Sequence, residues 1–405
     1  MTGSRLGEML GPGPVALRST RIVTPDGEVD GYLVLDGGTI GAVGPADPGV
    51  PVVDVRPAWL LPGLIDLHIH GAGGWAVAQG DPEVLRRLAR FVASGGVTAF
   101  HATLAAASAE RLVSVARAVA ELMAEPGSGV LGLHAEGPFI NPDRIGAMDI
   151  RQVRPASVPE LEALERAAPG ALRHLTLAPE ADGAVQAIRW ACDRGILVAA
   201  GHTDASVEQT QAAIDAGVRL GNHTFNAMRA FNHRDPGPLA ALLADPRVAL
   251  EVIADGVHVH PAALRLLAVL CGPDRVALVS DAVAPAGLAA GSYRLFGMTV
   301  IIDDAGCCRQ ESGTIAGSTR MLIDGVRTMV EQAGVCLADA VTMASATPAR
   351  LAGYAGSKGR LVAGFDADVV VVSPDWQVQA TVAAGRLRHQ QAGGAPPTRP
   401  GLSFD

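Results

Sequence analysis

A chain of 405 residues with 49% hydrophobic content can bury a large core, enough for one barrel of about 250–300 residues and a smaller accessory domain. Its formal charge of −9, from 32 basic and 41 acidic side chains with no block of like charge, argues against a polyanion-binding surface, so no nucleic-acid partner is expected. No uncharged apolar run reaches the roughly 18 residues of a membrane span, so no membrane partner is expected either.

At the start, Met1 to Pro14 shows no basic segment followed by an apolar stretch, so no secretory leader is expected. The five cysteines are odd in number and lack paired metal spacing. They read as idle thiols of a reducing compartment, and the expected location is the cytoplasm. From Val15 to Val55 short β runs alternate with turns, which predicts a small sheet. The stretch from Gly359 to Arg386 has the same character, so both termini are expected to build one small β-sandwich, residues 1–61 with 360–405. Beyond about Gln390 the chain is Gly/Pro-rich and reads as a loose tail.

The middle, residues 62–359, alternates. Strands are predicted at Leu64–His70, Val97–Leu104, Val130–Glu136, Leu172–Ala178, Ile196–His202, Arg219–Phe225, Ala249–Ala254 and Arg275–Asp281. Helical patterns lie between most of them, at Pro82–Ser94, Ala109–Ala124, Ala181–Arg194, Ser206–Ala216 and Pro261–Leu270. Strands alternating with helices give an α/β fold class, a (β/α)8 TIM-like barrel. A doubly wound open sheet would place a Gly-rich phosphate turn after its first strand. Here that strand ends in two histidines, which such a fold does not use. Gly291–Gly317 reads as a hairpin-rich insertion ahead of a helix at Arg320–Gln332.

The chemistry sits at strand ends. The first strand closes as Asp66-Leu67-His68-Ile69-His70, and strand alternation puts His68 and His70 on one face. The third ends Leu133-His134-Ala135-Glu136-Gly137-Pro138; His134 shares the face of Glu136 one layer deeper and is read as structural. His202 and His223 end the fifth and sixth strands, and Asp281 ends the apolar eighth. Taken singly, each motif is as compatible with an ordinary polar residue. A barrel, however, brings all these ends to one face, and the conjunction of four histidines with two carboxylates points to a divalent metal site. Zinc is the first expectation, with iron, manganese or cobalt as alternatives. The only lysine, Lys358, lies far past the barrel strands, which excludes a carboxylated-lysine bridge between two ions. If two ions bind, Glu136 must bridge them, with His68 and His70 on one side and His202 and His223 on the other.

The segments PGLIDLHIHG, LHAEGPF, AAGHTD, NHTFNAM, IADGVHV, SDAVAPAG and GTIAGS, in this order, resemble the N-acetylglucosamine-6-phosphate deacetylases of the amidohydrolase superfamily. The resemblance runs over nearly the whole chain. It implies a homodimer that removes acetate from an amino-sugar phosphate in amino-sugar catabolism and recycling. It further implies that Glu136, His202 and His223 hold the main metal, that Asp281 is the general base, and that His68 and His70 hold a second ion found in some members. Ala147, Asn226, Ala227, Arg234, His258 and the segment Ile315-Ala316-Gly317 match the sugar-phosphate contacts, and the guanidinium of Arg234 suits bidentate pairing with phosphate. One position departs from the pattern: Met148 stands where members usually carry a histidine, and a thioether donates no hydrogen bond. That departure keeps two other readings open: a deacetylase for N-acetylgalactosamine 6-phosphate or another N-acyl amide, and a catalytically silent barrel that binds or assembles.

Overall fold

The computed structural model describes residues 7, 10–11, 13–295, 298–303 and 306–391. Most of the stretch 1–14 and the tail expected past Gln390, from residue 392 on, lie outside the described residues.

Eight parallel strands form the central barrel: β1 (Leu64–Ile69), β2 (Val97–Ala105), β3 (Val130–Glu136), β4 (Leu172–Leu177), β5 (Leu197–Ala200), β6 (Leu220–Gly221), β7 (Ala249–Ile253) and β8 (Val276–Val279). Each pairs with the next in chain order, the (β/α)8 arrangement anticipated above. All positions of β2 and β3 are buried, as expected of parallel strands covered on both faces, and this explains their unbroken apolar runs. The ring closes between its first and last strands. There the Asp281 N–H donates to the His68 carbonyl (2.9 Å) and the His70 N–H to the Ala282 carbonyl (2.8 Å).

The helices begin where local chemistry lets them. Asp81 accepts from the Glu83 N–H ahead of Pro82, which needs no N–H partner in the first turn. Ser108 and Ser157 cap Ala109–Met123 and Val158–Ala167, and Ser206 forms a capping box with Gln209. Apolar faces such as Leu85, Leu88 and Val92, or Leu112, Val115 and Val119, join one large core outside the barrel wall.

Both ends of the chain contribute to a second eight-stranded sheet with its own core, which includes Leu17, Leu33, Leu60, Val369 and Val382. Its hydrogen-bonded ladder is continuous. Trp59–Pro62 joins the two halves, antiparallel to Val369–Val372 and beside Val15–Thr24. Gly63 then turns the chain into β1, and a Cβ there would lie 2.3 Å from Thr98 Oγ1 and 2.8 Å from Asp368 Cβ. Lys358 holds the same junction, with Nζ 2.8 Å from both Asp366 and Asp368. The expected insertion is present as an antiparallel three-stranded sheet, Gly291–Leu295, Met298–Ile302 and Cys308–Gln310. Among the described residues no helix is long and apolar enough to cross a membrane.

Three of the predicted strands stop two or more residues earlier than expected. Regular pairing in β5, β6 and β8 ends at Ala200, Gly221 and Val279, short of His202, Phe225 and Asp281. The cause is a change of backbone conformation at the chemistry-bearing residues themselves, described next.

Candidate active site and metal centre

At the C-terminal mouth of the barrel, His68, His70 and Asp281 form one buried group, and Glu136, His202 and His223 a second. Within each group the ligand atoms lie within 4.8 Å of one another. Glu136 joins the groups. Its Oε1 is 2.9 Å from His223 Nε2, 3.0 Å from His202 Nε2 and 3.3 Å from His68 Nε2, while its Oε2 is 3.2 Å from His70 Nε2. Asp281 Oδ1 lies 3.5 Å from His68 Nε2 and 3.3 Å from His70 Nε2.

Seven described non-glycine residues have positive φ, and five of them are here: His202, His223, Phe225, Ala227 and Asp281. Each such residue costs about 1–3 kcal/mol and persists only where its surroundings hold it. The turn into this conformation is what ends the short strands and tips the side chains into the barrel mouth. Next to Asp281 the chain is pressed tightly, since a Cβ on Gly317 would lie 2.4 Å from Val283 Cγ1 and 3.0 Å from the Asp281 carbonyl.

The electrostatics are cooperative. Burial alone would push Glu136 upward, but His68, His202 and His223 hold its carboxyl well below the usual range. Asp281 is likewise lowered by His68 and His70 against the effect of burial. Burial disfavours charge on His68 and His70 as well, yet Glu136 and Asp281 raise both. The donor chemistry fits a divalent cation. His68 and His70 bring Nε2 atoms to 3.2 Å and His202 and His223 to 3.1 Å, too close for two N–H groups to face each other. Nitrogen and carboxylate oxygen without thiolate suit zinc and its first-row neighbours.

Around the ligands runs a supporting network. His202 Nδ1 is 2.8 Å from the Arg144 carbonyl, and the Arg144 side chain in turn donates from Nε to Asp204 (2.8 Å). Asn222 donates from Nδ2 to Glu136 (3.0 Å) and accepts from Thr176, whose hydroxyl oxygen is 2.8 Å from His134 Nε2. His134 stacks on His174 at 3.6 Å, beneath His68. Burial holds both of these imidazoles well below their usual pKa, so they fill the barrel as neutral rings. Sequence reading missed Asn222, Thr176, Asp255 and Glu251. For Glu251 a signal existed, a lone carboxylate within the apolar run Ala-Leu-Glu-Val-Ile.

Over the ligands opens a cavity of about 250 Å³. Its lining includes Ala147, Met148, Asn226, Ala227, His258, Ile315, Ala316 and Gly317 together with His70, Glu136, His202, His223 and Asp281. The three-stranded insertion roofs it, with Val300, Ile302 and Cys308 packing around Val283, Ala316 and Ala147. His258 is fixed by Asp255 at 2.7 Å, and that carboxylate also accepts from Ser318 (2.9 Å). Arg234 is not brought into this lining. It is exposed on a surface loop, where its N–H donates to Asn232.

The model of the amidohydrolase family matches residues 59–388. The chain belongs to that family. Among individual members, this amidohydrolase is 39% identical over 376 residues to an N-acetylgalactosamine-6-phosphate deacetylase of Escherichia coli O157:H7, covering 92% of this chain and 98% of that one. It is 37% identical over 363 residues to an N-acetylglucosamine-6-phosphate deacetylase of Vibrio furnissii, covering 88% and 90%. A solved N-acetyl-D-glucosamine-6-phosphate deacetylase of Mycobacterium smegmatis, in complex with N-acetyl-D-glucosamine-6-phosphate, superposes with a TM-score of 0.88 at 34% identity, covering 93% and 99%.

Proposed function

We propose that this amidohydrolase hydrolyses the acetamide of N-acetylglucosamine 6-phosphate to glucosamine 6-phosphate and acetate, a step of amino-sugar catabolism and recycling. The observation that carries the reading is the convergence of both His/carboxylate groups in one cavity that His258, Asn226 and Ala227 also line. His68, His70 and Asp281 would hold one divalent ion and Glu136, His202 and His223 a second, zinc in the first instance. A divalent ion there supplies the Lewis acidity that makes water nucleophilic near neutral pH and draws charge from a carbonyl oxygen. Asp281, held ionised, accepts the proton of the attacking water and passes it to the departing amine nitrogen. His258, raised by Asp255 against burial, presents positive charge to the sugar phosphate. Met148 lines the cavity where members of the resembled family carry a histidine, and its thioether donates no hydrogen bond to a carbonyl there.

The enzyme acts as a homodimer in the cytoplasm. Exposed Phe231, Leu266, Val269 and Leu270 offer apolar surface for a second copy, and Arg234, exposed outside the cavity of its own chain, would serve the cavity of a partner. A second reading, the galacto epimer as substrate, is favoured by the 39% identity to a deacetylase of that sugar.

The test is acetate release from both 6-phosphates and from unphosphorylated N-acetylglucosamine, with metal content measured on the same samples. Turnover of the gluco phosphate supports the first reading, and turnover of the galacto phosphate alone the second. Metal-free protein inert on all three would make the barrel a binding scaffold.

A further inference from the structure

Glu251 lies in the middle of β7 with its side chain fully buried. Its strand neighbours Leu250 and Val252 pack outward into the large core, which leaves the carboxylate facing the barrel interior. No lysine or arginine meets it among the described residues. Oε2 lies 3.4 Å from His68 Nδ1 and 3.5 Å from the His223 backbone nitrogen, and Oε1 has no hydrogen-bond partner among the described residues. A buried carboxylate this poorly compensated is costly unless positive charge lies close by. Across one imidazole lies a group able to hold a cation: the far nitrogen of His68, Nε2, is the atom that meets His70, Glu136 and Asp281. A carboxylate behind a ligating imidazole fixes which nitrogen carries the proton, orients the ring and strengthens the ligand. His202 has a backbone carbonyl, that of Arg144, in the corresponding place.

We infer that Glu251 is a positioning residue for the second metal. It accepts the Nδ1–H of His68, aims Nε2 at the ion held by His68, His70 and Asp281, and sets the affinity of that ion without touching it. Through the His223 N–H it also ties the backbone of one group to the imidazole of the other. The inference rests on the two-ion reading above.

The experiment is to titrate zinc into the metal-stripped wild-type enzyme and the variants E251A, E251Q and H70A, counting bound ions and measuring both affinities. Circular dichroism and melting of the stripped proteins report folding. The expected result is two ions in the wild type and loss of the weaker one in H70A. In E251A the affinity for that same ion should fall about 10- to 100-fold, with the other ion held within twofold. E251Q, which keeps an acceptor but no charge, should fall in between. Two ions bound with wild-type affinity in E251A would overturn the assignment. If E251A does not fold, unchanged affinities in E251Q would do the same. A wild type that takes only one ion would instead defeat the two-ion reading, and the role of Glu251 with it.

Discussion

Asp281 meets His68 twice, through its backbone N–H to the His68 carbonyl at 2.9 Å and through its carboxylate to His68 Nε2 at 3.5 Å. The first contact closes the barrel and the second belongs to the candidate metal group, so the seam between first and last strands also carries the proposed site. Because the closing bond is backbone, the side chain can be changed while the ring stays shut. Asp281→Asn should lower kcat by about 10³-fold, within the range of a lost general base. The Glu136, His202 and His223 ion should remain, as read by elemental analysis. A variant that loses that ion as well would make Asp281 chiefly a structural or metal-holding residue.

Glu136 is different, since all four imidazoles approach its two oxygens. Glu136→Gln removes the charge common to both groups. Metal content should drop towards zero and acetate release to background, while the backbone circular dichroism stays native. Retention of two tightly bound ions would show that the groups are independent.

Asp255 and His258 set a stability window. Burial would raise the Asp255 carboxyl, but the His258 hydrogen bond and charge, with the N–H groups of His258 and Val257, bring it from 3.8 to about 2. That contribution is present above the unfolded value and is lost as pH falls through about 2. His258 is raised above 6.5, so its contribution is complete below pH 6.5 and fades as pH rises through the folded value. Asp255→Asn should therefore cost about 2 kcal/mol between about pH 4 and 6.5, and less above the folded value of His258. Denaturant unfolding at pH 5.5 and 9 checks this; an equal loss at both would mean that the pair does not act through charge.

Arg234 is tested through the substrate. Loss of one hydrogen bond to a charged group, about 1.5–3 kcal/mol, predicts that Arg234→Ala raises KM for the 6-phosphate about 10- to 100-fold with kcat nearly unchanged. KM for the unphosphorylated sugar should not move. Equal effects on both substrates would remove Arg234 from phosphate recognition.

Much of the site was legible because its signals are local. His68 and His70 share a face through strand alternation alone, and Glu136 and Asp281 each end an apolar run where a lone carboxylate needs a partner. Asn222 and Thr176 gave no such signal, for a buried amide or hydroxyl looks the same in sequence whether it supports a ligand or a turn. Arg234 matched a motif, yet whether its guanidinium reaches a cavity depends on where its loop lies.

Residue type and period, which belong to neighbours in the chain, determined the alternation of strands and helices, the paired small sheet, the donor set and the exclusion of a lysine bridge by the solitary Lys358. The tertiary structure decided what depends on distance through space. It joined both termini in one continuous sheet, turned His202, His223 and Asp281 out of their strands by positive φ, and set Glu251 behind His68. The physical reason is the closed barrel: parallel strands deliver their ends to one mouth, but strain and burial there are imposed by the whole ring, and no single segment encodes them.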